Sequence, residues 1–222
     1  ADFGCDVVLN ARRIDDLEQT AAGVRRRGRS VLVVDGDIRD FSDTLARRAV
    51  EHFGRLDIWV NNVGGSDDKT TRALVDTPDD VFRSQLELNL TTAFQGCKAA
   101  AQHMGDGGSI VNISSGAGTR GSPATGPYAA AKAGMNNLSQ TLALELAPRI
   151  RVNVVAPGPV VTEAFLETLT DGPDKLDQIA ASVPLGRTGT PDDIAAACAF
   201  LCSDGAGYLT GQVIAVNGGA VT

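Results

Sequence analysis

Tyr128 and Lys132 stand four residues apart. If that stretch is helical, both side chains lie on one face. An ammonium beside a phenol favours the phenolate and lowers the tyrosine pKa from its usual ~10. Such a pair could act as a general acid/base near neutral pH. A Tyr-x-x-x-Lys pair also arises by chance on a solvated helix, so alone it is a weak signal. Thirteen residues before the tyrosine lies Ser115, the second of Ser114-Ser115. A serine hydroxyl at the carboxyl end of a strand can donate to a substrate carbonyl oxygen as charge develops there. Serine also simply ends strands, and in isolation that is the commoner reason for it. A third segment, Asn61-Asn62-Val63-Gly64, offers amides that tie loops together and a glycine that lets a ligand approach. A plain turn competes as its explanation.

These residues need elements to position them. Short runs rich in Val and Ile predict strands over Val7–Asn10, Ser30–Val34, Ile58–Asn62, Ser109–Ser114, Arg151–Ala156 and Gln212–Val216. They do not alternate with polar residues, as strands buried on both faces of a parallel sheet do not. Between them lie helical patterns. Asp15–Arg27 and Asp43–Phe53 each end at a glycine, Gly28 and Gly54. Thr77-Pro78-Asp79-Asp80 and Thr190-Pro191-Asp192-Asp193 both read as an N-cap, a proline at N1 and acids in the first turn. Pro127–Ala147 is the longest helix, with Tyr128, Ala131, Met135, Leu138 and Leu142 along one stripe. The alternation predicts an α/β fold: a three-layer, doubly wound parallel sheet with helices on both faces. Ligands of such sheets bind beyond the carboxyl ends of the strands, where the three segments above fall.

The 222 residues suit a single domain over 1–222, with 43% apolar and 21% charged residues. The net charge of −7 argues against nucleic acid and anionic membranes as main partners. A phosphate-bearing ligand would need a local basic site. No stretch approaches the ~20 apolar residues of a membrane span, and residues 1–6 do not read as a signal peptide. Cys5, Cys97, Cys198 and Cys202 are too few and scattered for a disulfide framework, so a reduced cytoplasm is expected. Cys198 and Cys202 share a helix face without a companion His or Cys and read as core thiols; no metal is implied.

Taken in order, these segments make the chain resemble the short-chain dehydrogenase/reductase family, NAD(P)-dependent enzymes on a Rossmann-type sheet. The resemblance rests on Val33 to Ile38, Asn61 to Gly64, Glu87-Leu88-Asn89-Leu90, Ile113-Ser114-Ser115 and Tyr128-Ala129-Ala130-Ala131-Lys132. It continues through Arg151-Val152-Asn153 with Pro157-Gly158, and Gly211-Gln212-Val213 with Gly218-Gly219. It implies that Tyr128 moves the proton and that Lys132 depresses its pKa and holds the nicotinamide ribose. Ser115 then polarises the carbonyl, and Asn89 supports a water of the proton relay. Asp37 contacts the adenine amine, Ile38 packs on the ring, and Asn62, Val63 and Gly64 line the adenosine side. Pro157, Gly158 and Thr162 flank the nicotinamide. Val63 stands where the family usually has alanine. NAD enzymes carry an acid after the second family strand. Here that position holds Ala11, followed by Arg12. A guanidinium without a carboxylate suits a 2′-phosphate, so NADP(H) is favoured over NAD(H).

The family's first strand and glycine-rich loop should lie roughly 25–30 residues before Ala11 by the usual unit length. They are absent from this sequence, and the chain is expected to be a piece of a longer enzyme. Loss of that central strand should leave its two neighbours with unpaired edges. The resemblance makes residues 163–189 a lid over a small-molecule carbonyl or alcohol substrate: a ketone, a 3-oxoacyl chain or a steroid-like compound. Phe165, Leu166, Leu169, Leu176, Ile179 and Leu185 suit either a partly apolar substrate or the core face of two lid helices. The small residues Ala129, Ala130, Ala133 and Gly134, and the segment Pro78–Met104, suit a homo-oligomer, a dimer or tetramer. The expected function is an NADP(H)-dependent oxidoreductase. The alternative is a non-catalytic dinucleotide-binding or structural protein on the same fold.

Overall fold

The computed structural model describes residues 1–65, 72–166 and 173–220. Six parallel strands run β1 Val7–Ala11, β2 Val31–Asp35, β3 Ile58–Asn61, β4 Gly108–Ile113, β5 Ile150–Pro157 and β6 Val213–Val216. The helices are α1 Ile14–Arg26, α2 Ser42–Phe53, α3 Asp79–Leu86, α4 Thr92–His103, α5 Gly126–Leu146, α6 Glu163–Leu166, α7 Pro173–Ser182 and α8 Pro191–Cys202. Each predicted strand is found within a residue or two of its expected ends.

Successive residues of β4 and β5 face opposite sides, as strand geometry requires. Ile110 and Val152 belong to one core, with Trp59, Cys97, Ala100, Met104 and Ala143 of β3, α4 and α5. Val111 and Val155 belong to the other, with Leu201 and Ile194 of α8. Burial on both faces explains why these strands lack a polar alternation. The sheet is in two parts, β1-β2 and β3-β4-β5-β6. The facing strands β1 and β3 line a cavity of about 750 Å³ instead of pairing with each other. This is the interruption expected on either side of the family's central strand.

Two local expectations need correction. Thr77 does not cap α3: Pro78 is the N-cap, and the Thr77 hydroxyl donates to the Ala73 carbonyl oxygen. The proline follows the threonine directly, so a helix beginning at Asp79 has the ring at its cap. Thr190 does form the expected cap, in a reciprocal box with Asp193. The segment 163–189 contains α6 and α7, and Leu169 lies outside the described residues. Leu166 and Leu185 are 43% and 69% exposed, so these two are not a buried core face. On the α4 and α5 surfaces Phe94, Ala130, Ala133 and Leu144 are exposed, and Ala129 is buried. Among the described residues no helix is long and apolar enough to cross a membrane.

A chain of buried side chains ties β3, β4 and α5 together. Trp59 Nε1 donates to Asn61 Oδ1 (2.7 Å), and Asn61 Nδ2 donates to Asn112 Oδ1 (2.7 Å). Asn112 Nδ2 donates to Ser139 Oγ (2.8 Å), which donates to the Met135 carbonyl (2.7 Å). Gly96 of α4 rests on this chain: a Cβ there would sit 2.1 Å from Asn61 Oδ1 and 2.9 Å from Trp59 Nε1. Gly96→Ala should therefore cost about 1–3 kcal/mol in urea unfolding, because neither buried partner can move without losing a hydrogen bond. Gly105→Ala, with nothing within 4 Å of the added carbon, is the control. Equal midpoints for the two variants would show that the chain yields easily.

Candidate active site

The carboxyl end of β4 sets the site. Ser114 and Ser115 follow its last residue, and their side chains part company. Ser114 is buried, and its hydroxyl donates back to the Lys132 carbonyl of α5 (3.3 Å). Ser115 is extended (φ −161°, ψ 155°) and caps the short 3-10 turn Gly116–Gly118 by accepting from the Ala117 N–H (3.2 Å). Its hydroxyl is near enough to the Tyr128 phenol to favour the phenolate. Ser115, not Ser114, thus faces the tyrosine.

Tyr128 and Lys132 are on the first turns of α5, as the spacing predicts. Lys132 is only 3% exposed, and its Nζ donates to the Ile113 carbonyl (2.8 Å). Nζ lies 5.7 Å from the centre of the Tyr128 ring. Burial lowers the Lys132 pKa from 10.5 to about 8. The expectation for the tyrosine is reversed. Burial raises the Tyr128 pKa above 10, and only the nearby Ser115 hydroxyl acts the other way. Helical spacing brings the ammonium near the ring but says nothing of how dry the phenol's surroundings are.

Asn89 is fully buried in a π-helical turn, Glu87–Thr91, between α3 and α4. Its Oδ1 accepts from the Gly65 N–H (2.9 Å), and its Nδ2 donates to the Gly65 carbonyl (2.9 Å) and to Gln85 Oε1 (3.3 Å). A Cβ on Gly64 would lie 2.8 Å from Asn89 Oδ1 and 2.9 Å from Lys132 Nζ. Gly64, Asn89 and Lys132 therefore meet at one point, and only a glycine leaves room for them. Gly64 and Lys132, with Ser115, Tyr128, Pro157 and Gly158, surround a groove of about 210 Å³, in which Asn62 also takes part; Asn89 stands behind its wall.

The remaining predicted residues sit further out. Thr162 caps α6 by accepting from the Phe165 N–H (3.1 Å). Ile38 is buried and Asp37 half-buried, just past β2. The Asp37 carboxylate accepts from the Arg39 side chain and the Arg39 N–H, which hold its pKa down to about 2. Arg12 is close enough to lower it further. Arg12 is exposed and makes no salt bridge among the described residues, whereas Arg13 pairs with Asp16. Asn62 and Val63 line the larger cavity together with Ile38, so Asn62 borders both spaces. Sequence reasoning passed over Gln85, Asn112, Asn136 and Ser139, all buried polar residues. Their signal was an amide or hydroxyl inside an otherwise apolar stripe, as in Ser109-Ile110-Val111-Asn112-Ile113.

The residues present fit a nicotinamide dinucleotide at its nicotinamide end. A buried ammonium and a phenol border the groove, and Gly64 and Gly158 line it without side chains. Among the described residues no cluster of His, Cys, Asp or Glu could hold a metal ion.

Comparison with known proteins gives a consistent result. The family described as enoyl-(acyl carrier protein) reductase matches residues 1–221. L-rhamnose 1-dehydrogenase (NAD(P)(+)) of Sphingomonas sp. is 37% identical over 226 residues, covering 99% of this chain and 87% of that protein. A 3-oxoacyl-(acyl-carrier-protein) reductase of Haemophilus influenzae is 38% identical over 219 residues, covering 97% and 88%. Among solved structures, 7 alpha-hydroxysteroid dehydrogenase complexed with NADH and 7-oxo glycochenodeoxycholic acid superposes with a TM-score of 0.90 at 32% identity. It covers 100% of this chain and 86% of that one.

The Lys132 shift carries a consequence for stability. Between pH 8 and 10.5 the unfolded chain still binds a proton that the folded chain has released. Folding stability conferred through this group therefore rises with pH across that window, and its full penalty applies below pH 8. Relative to Lys132→Met, the wild type should gain up to about 3 kcal/mol of unfolding free energy from pH 8 to 10.5. Urea unfolding at stepped pH reads this, and a flat difference would clear Lys132 of the penalty.

Proposed function

We infer the activity from one premise: this chain belongs to the short-chain dehydrogenase/reductase family. The family's members here are dehydrogenases and reductases that act on alcohol or ketone groups with a nicotinamide dinucleotide. We propose an NADP(H)-dependent oxidoreductase acting on a ketone or the matching secondary alcohol. The single observation that carries the reading is the groove where Ser115, Tyr128, Lys132 and Gly64 converge.

The dinucleotide, when bound, supplies the hydride. The protein's own groups do the rest. Ser115 donates its one hydroxyl proton to the substrate oxygen and so orients it beside the phenol. Tyr128 gives its proton to the alkoxide as it forms, or removes it in oxidation. A dry phenol with a raised pKa keeps its proton at neutral pH, which suits it as the acid of reduction. Lys132, charged below about pH 8, stabilises the phenolate left behind and binds ribose hydroxyls. Asn89 holds Gly65 and thereby the wall of the groove. At the adenosine end, Asp37, Ile38, Asn62 and Val63 take the base, and Arg12 takes the 2′-phosphate. Pro157, Gly158 and Thr162 border the nicotinamide. Support for Arg12 comes from its exposure, its lack of a salt bridge and Ala11 in place of an acid. Residues 163–189 act as the lid. The exposed Leu166 and Leu185 favour a substrate with an apolar body, as the relatives named for a steroid and a 3-oxoacyl chain have.

Two variants test this. Tyr128→Phe should lower turnover of a ketone panel by at least about 100-fold and leave dinucleotide binding within a few-fold. Undiminished turnover would remove Tyr128 from the chemistry, and a wild type without any turnover would favour the non-catalytic alternative. Arg12→Ala should weaken NADPH binding about tenfold and leave NADH binding unchanged, followed by nicotinamide fluorescence. Equal losses for both cofactors would refute the 2′-phosphate assignment.

A further inference from the structure

We infer that Asn136 is a positioning residue that fixes the Ser115 hydroxyl against Tyr128. The inference rests on the reading that these two form the catalytic pair. Ser115 opens a turn whose parts are bonded to one another. The Gly118 N–H donates to the Ser115 carbonyl (2.9 Å), and the Thr119 N–H (3.1 Å) and hydroxyl (2.8 Å) donate to the Gly116 carbonyl. The Ala117 N–H donates to Ser115 Oγ itself. Such a turn moves as a unit, so wherever Gly118 is held, the Ser115 hydroxyl is held.

Gly118 is held by α5. Asn136 Nδ2 donates to the Gly118 carbonyl (2.9 Å). Gly118 also lies flat on the backbone of Lys132: a Cβ there would come within 2.8 Å of the Lys132 carbonyl carbon. Asn136 is one turn beyond Lys132 and two beyond Tyr128, on the same face of α5. One helix face therefore presents the phenol, the ammonium and the amide that anchors the serine's turn. At the near end of the turn Ser114 is tied to α5 by Oγ to the Lys132 carbonyl (3.3 Å) and to β5 by its N–H to the Val155 carbonyl (2.8 Å). Without Asn136 the turn would hang from that end alone.

Half of the amide is a cost to stability. Asn136 is 9% exposed, and its Oδ1 has no hydrogen-bond partner among the described residues. A buried acceptor left unpaired is a cost that an aliphatic side chain would avoid. What the aliphatic side chain would lack is the N–H aimed at Gly118. Lys132 Nζ lies 5.7 Å from the centre of the phenol ring, and its own bond to the Ile113 carbonyl does not involve the turn.

The chain has two tyrosines, and Tyr208 is fully exposed. In a Tyr208→Phe parent, carbon-13 labelling of the tyrosine ring carbon bearing oxygen gives one resonance, that of Tyr128. Its titration midpoint needs no turnover to be read. Ser115 beside the phenol lowers that midpoint, so Asn136→Leu, by freeing the turn, should raise it. The same variant should lower kcat about tenfold, with the KM for the dinucleotide within about twofold. Asn137→Leu, at the exposed neighbouring position, should change neither. Asn136→Ala serves as the second variant if the leucine does not fold. An unchanged midpoint in the folded variants overturns the inference. A loss of turnover in Tyr128→Phe with an unchanged midpoint in Asn136→Leu would keep the catalytic reading and remove the positioning role. A raised midpoint with full turnover in Tyr128→Phe would do the opposite.

Discussion

The Lys132 ammonium is the constraint on which the site depends. A cation at 3% exposure loses most of its hydration and needs fixed partners in return. The parallel sheet provides one, the carbonyl of Ile113, the last residue of β4 paired with β5. That choice determines much else. The helix carrying Lys132 must cross the end of β4 closely, so Gly118 and Gly64 lie where any Cβ would collide with the lysine. Ser114 turns inward to bond the same residue's carbonyl, and this leaves Ser115 outward beside Tyr128. The serine–tyrosine–lysine arrangement follows from one buried charge.

A second layer of polar groups holds the frame rigid. Asn61, Asn112 and Ser139 link two strands and α5 through the interior, and each donor meets an acceptor. Such a network rigidifies a core only when complete. Cys97 sits beside it, and burial raises its thiol pKa to about 11, so it behaves as a core group rather than a nucleophile. On the other side of the groove Asn89 and Gln85 do comparable work for Gly65. The site is thus walled by backbone segments that side-chain amides fasten in place. That suits a groove meant to hold a ligand in one orientation.

The strands were readable because burial on both faces leaves runs of Val and Ile with no polar phase. α5 was readable from its length, its proline near the start and the Tyr128–Met135 stripe. The site residues were readable in order but not in their energetics. Spacing placed Lys132 near Tyr128, whereas the sign of the tyrosine's shift depends on solvent access, which one sequence does not encode locally. Thr77 misled because two caps with nearly identical residues behave differently: Asp193 completes the box with Thr190, while Thr77 finds the Ala73 carbonyl first. The buried amides went unread since Asn in a strand or helix signals a turn or a surface far more often than an interior tie.

The charge distribution completes the argument. A chain with a net charge of −7 repels a polyanionic dinucleotide at long range, so attraction must come from a few cations within a Debye length. Two carboxylates near the ends of β1 and β2 are already engaged. Asp37 is bonded by Arg39, and Asp16 by Arg13. Engaged carboxylates project less field toward the ends of β1 and β2, where Arg12 is exposed and makes no salt bridge among the described residues. At the opposite end Lys132 is too deep to steer approach and acts only once a ligand is seated. One cation is exposed and the other buried, so they act at different stages: Arg12 can meet an anionic ligand on its approach, and Lys132 only one already seated in the groove.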